Sequence, residues 1–332
     1  MIAYILNKFS SVSERPLEIV DIEVPEVSKG KVLIKVSACG VCHTDLHTVE
    51  GEIRPRLPII PGHEIVGEVV QVGEGVNNVK IGDRVGAGWL GYACGLCRFC
   101  KVGLENLCEN ALFTGFHING GYAEYTSLYS DFIYKMPDGL PDVKLAPLLC
   151  AGIIGYRSIK LADVHQGSRV ALFGFGASAH IAIQILVHWG CDVYVFSRSE
   201  EHQKHAMKLG ASWTGKTDDE PPYPVNSAII FAPSGILVRR ALEILDKGGT
   251  LSLAGIYMTD IPELDYERHL YYEKTVRSVT ASTRNDGYEL LKIAGEIPIQ
   301  TDIEVYDFDD IPNVLIRMKE GKIRGAAVIK IS

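Results

Sequence analysis

No apolar run in this 332-residue chain reaches the length needed to cross a bilayer, which argues against a membrane span. The opening residues, Met1 to Ser10, lack the basic and apolar regions of a secretory leader, so a cytoplasmic protein is expected. A basic surplus is missing too. Lysine and arginine number 33 against 41 acidic residues, a net charge of -8, and nucleic acid is not an expected partner. Internal repeats, low-complexity segments and long linkers are absent, which excludes repeat arrays and disordered tails. No long helical pattern precedes about residue 140. What remains is ordinary globular composition, 47% hydrophobic and 22% charged, with length enough for two domains.

The first half is built of short alternating strands and glycine turns. Lys31 to Val36 alternates at strand period, and Ile65 to Val72 is an apolar run closed by Gly73 and Gly75. Near Leu145 the texture changes. Strands are expected at Arg169–Phe173, Asp192–Phe196, Ala228–Phe231 and Thr250–Ala254. Helices are expected at Ala177–Trp189, ended by Gly190, and at Ile236–Leu245, stopped by Lys247-Gly248-Gly249. Such alternation argues for a parallel sheet covered by helices. The tail carries a helical stretch, Asn313–Lys319, and a last strand, Ala326–Ile331. Glu220 to Pro224 reads as a surface loop, and Tyr271-Tyr272 as interior or interface.

Eight cysteines are present, and four of them, Cys94, Cys97, Cys100 and Cys108, lie within fifteen residues. In a reducing compartment metal ligation outweighs disulfide formation. Four thiolates fill a tetrahedral shell and leave no place for substrate, so this site is expected to be structural. The metal then replaces a hydrophobic core for its lobe. An iron–sulfur cluster is the other metal that the spacing permits.

Other polar residues are scattered: Cys42-His43-Thr44-Asp45-Leu46-His47, Gly62-His63-Glu64, and Cys150 beside Ala151 and Gly152. Singly each is a weak signal. Together with the cysteine lobe and the run Ala146 to Gly152, their order resembles that of the zinc-containing medium-chain alcohol dehydrogenases, along the whole chain. The resemblance implies a catalytic zinc held by Cys42, His63 and Cys150. Three protein ligands leave the fourth position open, where a Lewis acid eases proton loss from an alcohol or polarises an aldehyde carbonyl. Glu64 resembles the family's acidic neighbour of that metal, which visits it during ligand exchange. Asp45 matches the residue that orients the ligand histidine. Thr44 and His47 resemble a relay that carries the proton to solvent. His43 is expected on the cofactor phosphates, and Trp89 matches a position that narrows the substrate pocket.

Gly174-Phe175-Gly176-Ala177-Ser178-Ala179 follows a strand and opens a helix, the context of a dinucleotide-binding turn. Gly174 permits the turn, Gly176 lets the pyrophosphate approach, and Ala179 stands where a third glycine is usual. At the end of the next strand NAD enzymes carry an acid for the ribose hydroxyls. Here the position is Ser197, followed by Arg198, so NADP is expected over NAD.

The architecture implied is a β-rich GroES-like catalytic domain over 1–148 with a zinc lobe near 90–110. A Rossmann domain follows over 149–286, and residues 287–332 complete the catalytic domain, with the substrate cleft between the two. The activity implied is reversible hydride transfer between NAD(P) and a small primary alcohol or aldehyde, in a homo-oligomer, tetramer or dimer. Two rivals stand beside it: an NADPH-dependent aldehyde reductase of the cinnamyl-alcohol-dehydrogenase type, and a non-catalytic cofactor-sensing zinc protein. The intact open zinc set and relay argue against the second.

Overall fold

The computed structural model describes residues 1–256 and 258–332 and forms two compact units. The first comprises Met1–Cys150, Ala281–Glu296 and Gln300–Ser332; the second comprises Ala151–Thr280 and Ile297–Ile299. The chain thus returns to the first unit earlier than the expected boundary at 286/287. Helix Arg284–Glu296 is fastened there by a two-pronged ion pair from Arg284 to Glu105, 2.8–3.0 Å. Gly287 completes the docking: a Cβ there would lie 2.4 Å from the Tyr134 ring.

The second unit is a six-stranded parallel sheet. Its order is Trp213–Gly215, Asp192–Phe196, Arg169–Phe173, Val225–Ile230, Leu245–Leu253, Thr275–Ser278. In chain order that is 3-2-1-4-5-6, the doubly wound Rossmann topology, and its direction reverses beside Arg169–Phe173. Val170 to Phe173 and Val193 to Phe196 are buried throughout, as strands covered on both faces must be. Helix Ala177–His188 ends as the sequence implies: Gly190 adopts φ 71° and its N–H reaches Val187 O at 2.9 Å. Two expectations are corrected. Helix Ile236–Ile244 ends before Lys247-Gly248-Gly249, which lie inside strand Leu245–Leu253. The ladder there is irregular between Val225 and Ser227, and Gly248 at φ 72° bonds through its N–H to Tyr272 O, so the glycines shape an uneven strand rather than stop a helix. Tyr271 and Tyr272 are exposed, at 58% and 44%, and are not interior.

In the first unit a seven-stranded sheet runs Ile303–Asp307, Ala326–Lys330, Lys31–Val41, Glu64–Val72, Arg84–Ala87, Ile133–Lys135, with Tyr125–Tyr129 also on Lys31–Val41. Helix Ile311–Lys319 links the two parallel C-terminal strands. The core gathers inward side chains such as Val32, Ile34, Val36, Ile65 and Val69. No helix among the described residues is long and apolar enough to cross a membrane.

Candidate active site and metal centres

The antiparallel register decides where the scattered polar residues meet. Gly40 pairs with Glu64 and Cys39 with Ile65. Cys42, just past one strand, is therefore beside His63, just before the other. Cys42 then caps helix His43–Glu50. Asp45, in the first turn, accepts from Cys42 N–H through Oδ2 at 2.8 Å and from Gly62 N–H through Oδ1 at 3.2 Å. The same Oδ1 lies 3.3 Å from His63 Nδ1. Asp45 thus closes the helix start and holds the imidazole with one carboxylate. Cys150 arrives from the segment Ala146–Leu149, where Leu149 packs against Gly86 of the sheet.

Cys42, His63, Glu64 and Cys150 each offer one ligand atom within 4.8 Å of the others. The two sulfurs are 3.7 Å apart. Sulfurs bound about 2.3 Å from one tetrahedral zinc lie roughly 3.8 Å apart, so the pair has the right span. His63 Nε2 is buried with no hydrogen-bond partner, an unmet need that a metal bond would satisfy. The electrostatics ask for a cation. The hydrogen bond from Cys150 drives the Cys42 thiol well below its usual pKa against opposing burial, while that same bond and burial push the Cys150 thiol up. Burial, the largest single cause, would lower the His63 pKa, but the Asp45 carboxylate and the Cys42 sulfur together hold the imidazole above its usual range. Burial, then the Cys42 thiolate, pushes the Glu64 carboxyl up. A dication lets both sulfurs ionise at once.

Glu64 reaches this cluster because its strand partner has no side chain. A Cβ on Gly40 would sit 1.9 Å from Glu64 Oε2. Gly40→Ala is expected to displace the carboxylate and destabilise the unit by about 1–3 kcal/mol. Urea unfolding checks this, and an unchanged midpoint would contradict it.

The cysteine lobe is a second cluster. The sulfurs of Cys94, Cys97, Cys100 and Cys108 all lie within 4.8 Å of one another, with Cys94–Cys108 at 3.5 Å and Cys97–Cys100 at 3.6 Å. Backbone N–H groups of Cys94 and Asn110 point at Cys108 Sγ, and that of Cys97 at Cys94 Sγ, each at 3.4 Å. Amide donors from Leu96 and Cys97 bring the Cys94 thiol down to about 6, and burial with the Cys97 neighbour pushes Cys100 up to about 12. The lobe has little core of its own: Leu90, Ala93, Cys108 and Phe132 are buried, while Leu96 and Val102 are left in solvent.

The other sequence-derived candidates fall around these centres. Thr44 is buried, with Oγ1 3.6 Å from Cys42 Sγ. His47 stands one helical turn further on, on the same face. Its Nδ1 pairs with Glu52 Oε2, a partner the sequence analysis did not single out because it follows the helix by way of Gly51. His43 is exposed on the first turn and takes no part in the metal cluster. Trp89 meets the His63 ring edge-on, centroids 5.0 Å apart. Phe113 and Phe116 pack on Trp89 and were likewise unmarked in the sequence.

In the second unit Gly174 takes φ 87° at the end of Arg169–Phe173, and a Cβ would meet Ala232 at 3.1 Å. Gly176 is the N-cap of helix Ala177–His188, with open space where a Cβ would be. Ala179 is wholly buried. Ser197 is buried at the end of Asp192–Phe196, its N–H bonded to Gly215 O at 2.9 Å, and Arg198 is exposed.

A Rossmann unit and a β-rich unit that carries two thiolate-rich clusters define a zinc-binding, nucleotide-dependent dehydrogenase. Residues 28–138 match the family model of the alcohol dehydrogenase GroES-like domain, and residues 179–296 that of the zinc-binding dehydrogenase. The chain is 43% identical over 337 residues to the probable alcohol dehydrogenase AdhA of Mycobacterium tuberculosis, covering 100% of this chain and 97% of the relative. It is 38% identical over 341 residues to an alcohol dehydrogenase of Geobacillus stearothermophilus, covering 100% and 99%. Its structure resembles that of the cinnamyl alcohol dehydrogenase SbCAD4 of Sorghum bicolor, with a TM-score of 0.88, 29% identity, and 99% and 97% of the two chains covered. The chain belongs to the zinc-containing medium-chain alcohol dehydrogenase family. It is an oxidoreductase of alcohols and aldehydes that works with zinc and NAD(P).

Proposed function

We propose that Cys42, His63 and Cys150 hold the catalytic zinc, with Glu64 as its exchanging neighbour, and that the four-cysteine lobe holds a structural one. The observation that carries this is the convergence of four ligand atoms within 4.8 Å around a buried His63 Nε2 without a partner. Bound there, zinc supplies Lewis acidity toward a substrate oxygen. The chain's own residues do the rest. Asp45 fixes the His63 ring. The Thr44 hydroxyl, beside Cys42, would accept the alcohol's proton while giving up its own, and His47, its ring held by Glu52, would take the released proton toward solvent. The first-turn N–H groups after Gly176 suit a pyrophosphate, and His43 is assigned separately to the cofactor phosphates.

NADPH is the preferred cofactor in this reading. Ser197 brings no charge that would repel a ribose 2′-phosphate, and exposed Arg198 can pair with it. The chain works as a homo-oligomer, tetramer or dimer. Edge strand Thr275–Ser278 is largely exposed near Tyr266, Tyr271 and Tyr272, a surface suited to a second copy. Eight free cysteines, most of them in ligand clusters, suit the cytoplasm.

Reduction of an aldehyde panel with NADPH and NADH in parallel, on protein of measured zinc content, tests the assignment. Ser197→Asp is expected to shift the NADPH-to-NADH ratio of kcat/KM at least tenfold toward NADH. An unchanged ratio would remove Ser197 and Arg198 from the cofactor site.

A further inference from the structure

We infer that the buried hydroxyl of Tyr122 is the last donor to the Asp45 carboxylate, and that Tyr122 is thereby a positioning residue for the histidine of the first metal cluster. The inference rests on the catalytic-zinc reading above. The segment carrying Tyr122 is laid along the residues leading to His63. Gly120 N–H donates to Ile60 O at 2.7 Å, Gly121 N–H to Gly62 O at 2.9 Å, and Tyr122 N–H to Pro61 O at 3.0 Å. Tyr122 O in turn accepts from Tyr4 N–H at 2.8 Å, so both of its backbone groups are fixed. The ring occupies the space where Gly62 has no side chain. A Cβ there would lie 2.6 Å from Tyr122 Cδ1 and 2.8 Å from Cε1. Gly62 also sends its N–H to Asp45 Oδ1 at 3.2 Å, so ring and carboxylate meet at one glycine.

Tyr122 is wholly buried, and its hydroxyl meets no hydrogen-bond partner of good geometry among the described residues. A buried phenol in that state calls for an acceptor. Of the groups that face it, Asp45, Cys39 and Glu64, only Asp45 is approached closely enough to draw on the proton. Burial, then the Asp45 carboxylate, pushes the phenol well above its usual pKa, so it stays a donor. An ionised carboxylate accepts at about four lone-pair positions. Asp45 has three filled: Cys42 N–H on Oδ2, and Gly62 N–H and His63 Nδ1 on Oδ1. Oδ2 therefore has one open. The rival acceptors are engaged elsewhere. Glu64 offers its oxygen to the metal cluster, and Cys39 Sγ lies on Gly40 O at 3.5 Å. A carboxylate held at all four positions keeps one orientation, and through it the His63 ring keeps Nε2 at the cluster.

Zinc removal from the loaded enzyme by a competing chelator, read as zinc per chain against chelator concentration, tests this. The proteins compared are wild type, Tyr122→Phe, Asp45→Asn and the double variant. Wild type is expected to hold two ions per chain. Tyr122→Phe keeps the ring and loses one oxygen. It is expected to hold one of the two ions about tenfold more weakly, with the other ion and the circular dichroism as in wild type. Asp45→Asn is expected to weaken the same ion. Adding Tyr122→Phe to it should then cost less than about threefold more, because the hydroxyl acts through the carboxylate. If Tyr122→Phe holds both ions as tightly as wild type, the hydroxyl is only packing and the inference is overturned. Additive losses in the double variant, or loss of both ions from Tyr122→Phe, would overturn it too. Wild type that holds a single ion per chain would instead overturn the catalytic-zinc reading beneath it.

Discussion

Cys150→Ala and His63→Ala are each expected to lower kcat at least 10³-fold and to reduce zinc from two per chain to one. A metal Lewis acid supplies several kcal/mol of charge stabilisation, and each 1.36 kcal/mol is tenfold in rate. Three such decades are a lower bound for losing it. The fold should survive, because the cluster sits at the ends of strands whose cores lie elsewhere: Lys31–Val41 and Glu64–Val72 pair through most of their lengths without it. Circular dichroism and melting temperature close to wild type, with activity gone and one zinc lost, is the expected signature. Full activity in either variant, or two zinc ions retained, would refute the assignment of these ligands.

The second prediction has the opposite signature. Cys97→Ser or Cys108→Ser is expected to release the other zinc and to lower the melting temperature by on the order of 10 °C. The lobe buries so little that its shape depends on the four sulfurs. Structural zinc is worth about 10–16 kcal/mol to isolated finger peptides. If only about 4 kcal/mol of that reaches the surrounding fold, a shift of roughly this size follows. Melting should begin at the lobe, so limited proteolysis should cut first between 94 and 108. The Arg284–Glu105 ion pair would loosen with it, since Glu105 lies between Cys100 and Cys108. A variant that loses its zinc but melts like wild type would deny the lobe a structural role. Visible absorption from the purified protein would point to the iron–sulfur alternative instead.

What could be read from the sequence was local. Strands Arg169–Phe173 and Asp192–Phe196 have the expected ends because short buried runs between turn residues leave few alternatives. The Gly174 turn and the cysteine lobe are contiguous, so spacing alone exposes them. Cys42, His63 and Cys150 came through resemblance, because what unites them is a strand register that no local pattern encodes. The unmarked residues share one cause. Glu52 meets His47 from beyond a helix end, and Phe113 and Phe116 meet Trp89 from a folded-back loop; a glutamate is ordinary on a surface and a phenylalanine in a core, so neither type marks a site. Lys247-Gly248-Gly249 misled because two glycines mark a helix stop and a distorted strand equally well.

The two clusters also differ in when they can exist. Cys94 and Cys108 are 14 residues apart, whereas Cys42 and Cys150 are separated by 108. Closing the longer span costs roughly 2 kcal/mol more in chain entropy. The lobe can therefore capture an ion from a chain still being synthesised, soon after its last cysteine emerges. The other centre must wait until Cys150 has appeared and the sheet around Gly40 and Glu64 has formed. On the assignment proposed above, scarce zinc would fill the cysteine lobe before the cluster of Cys42, His63 and Cys150. On that assignment, a chain holding only the lobe's ion would be folded and inactive until the second cluster is filled.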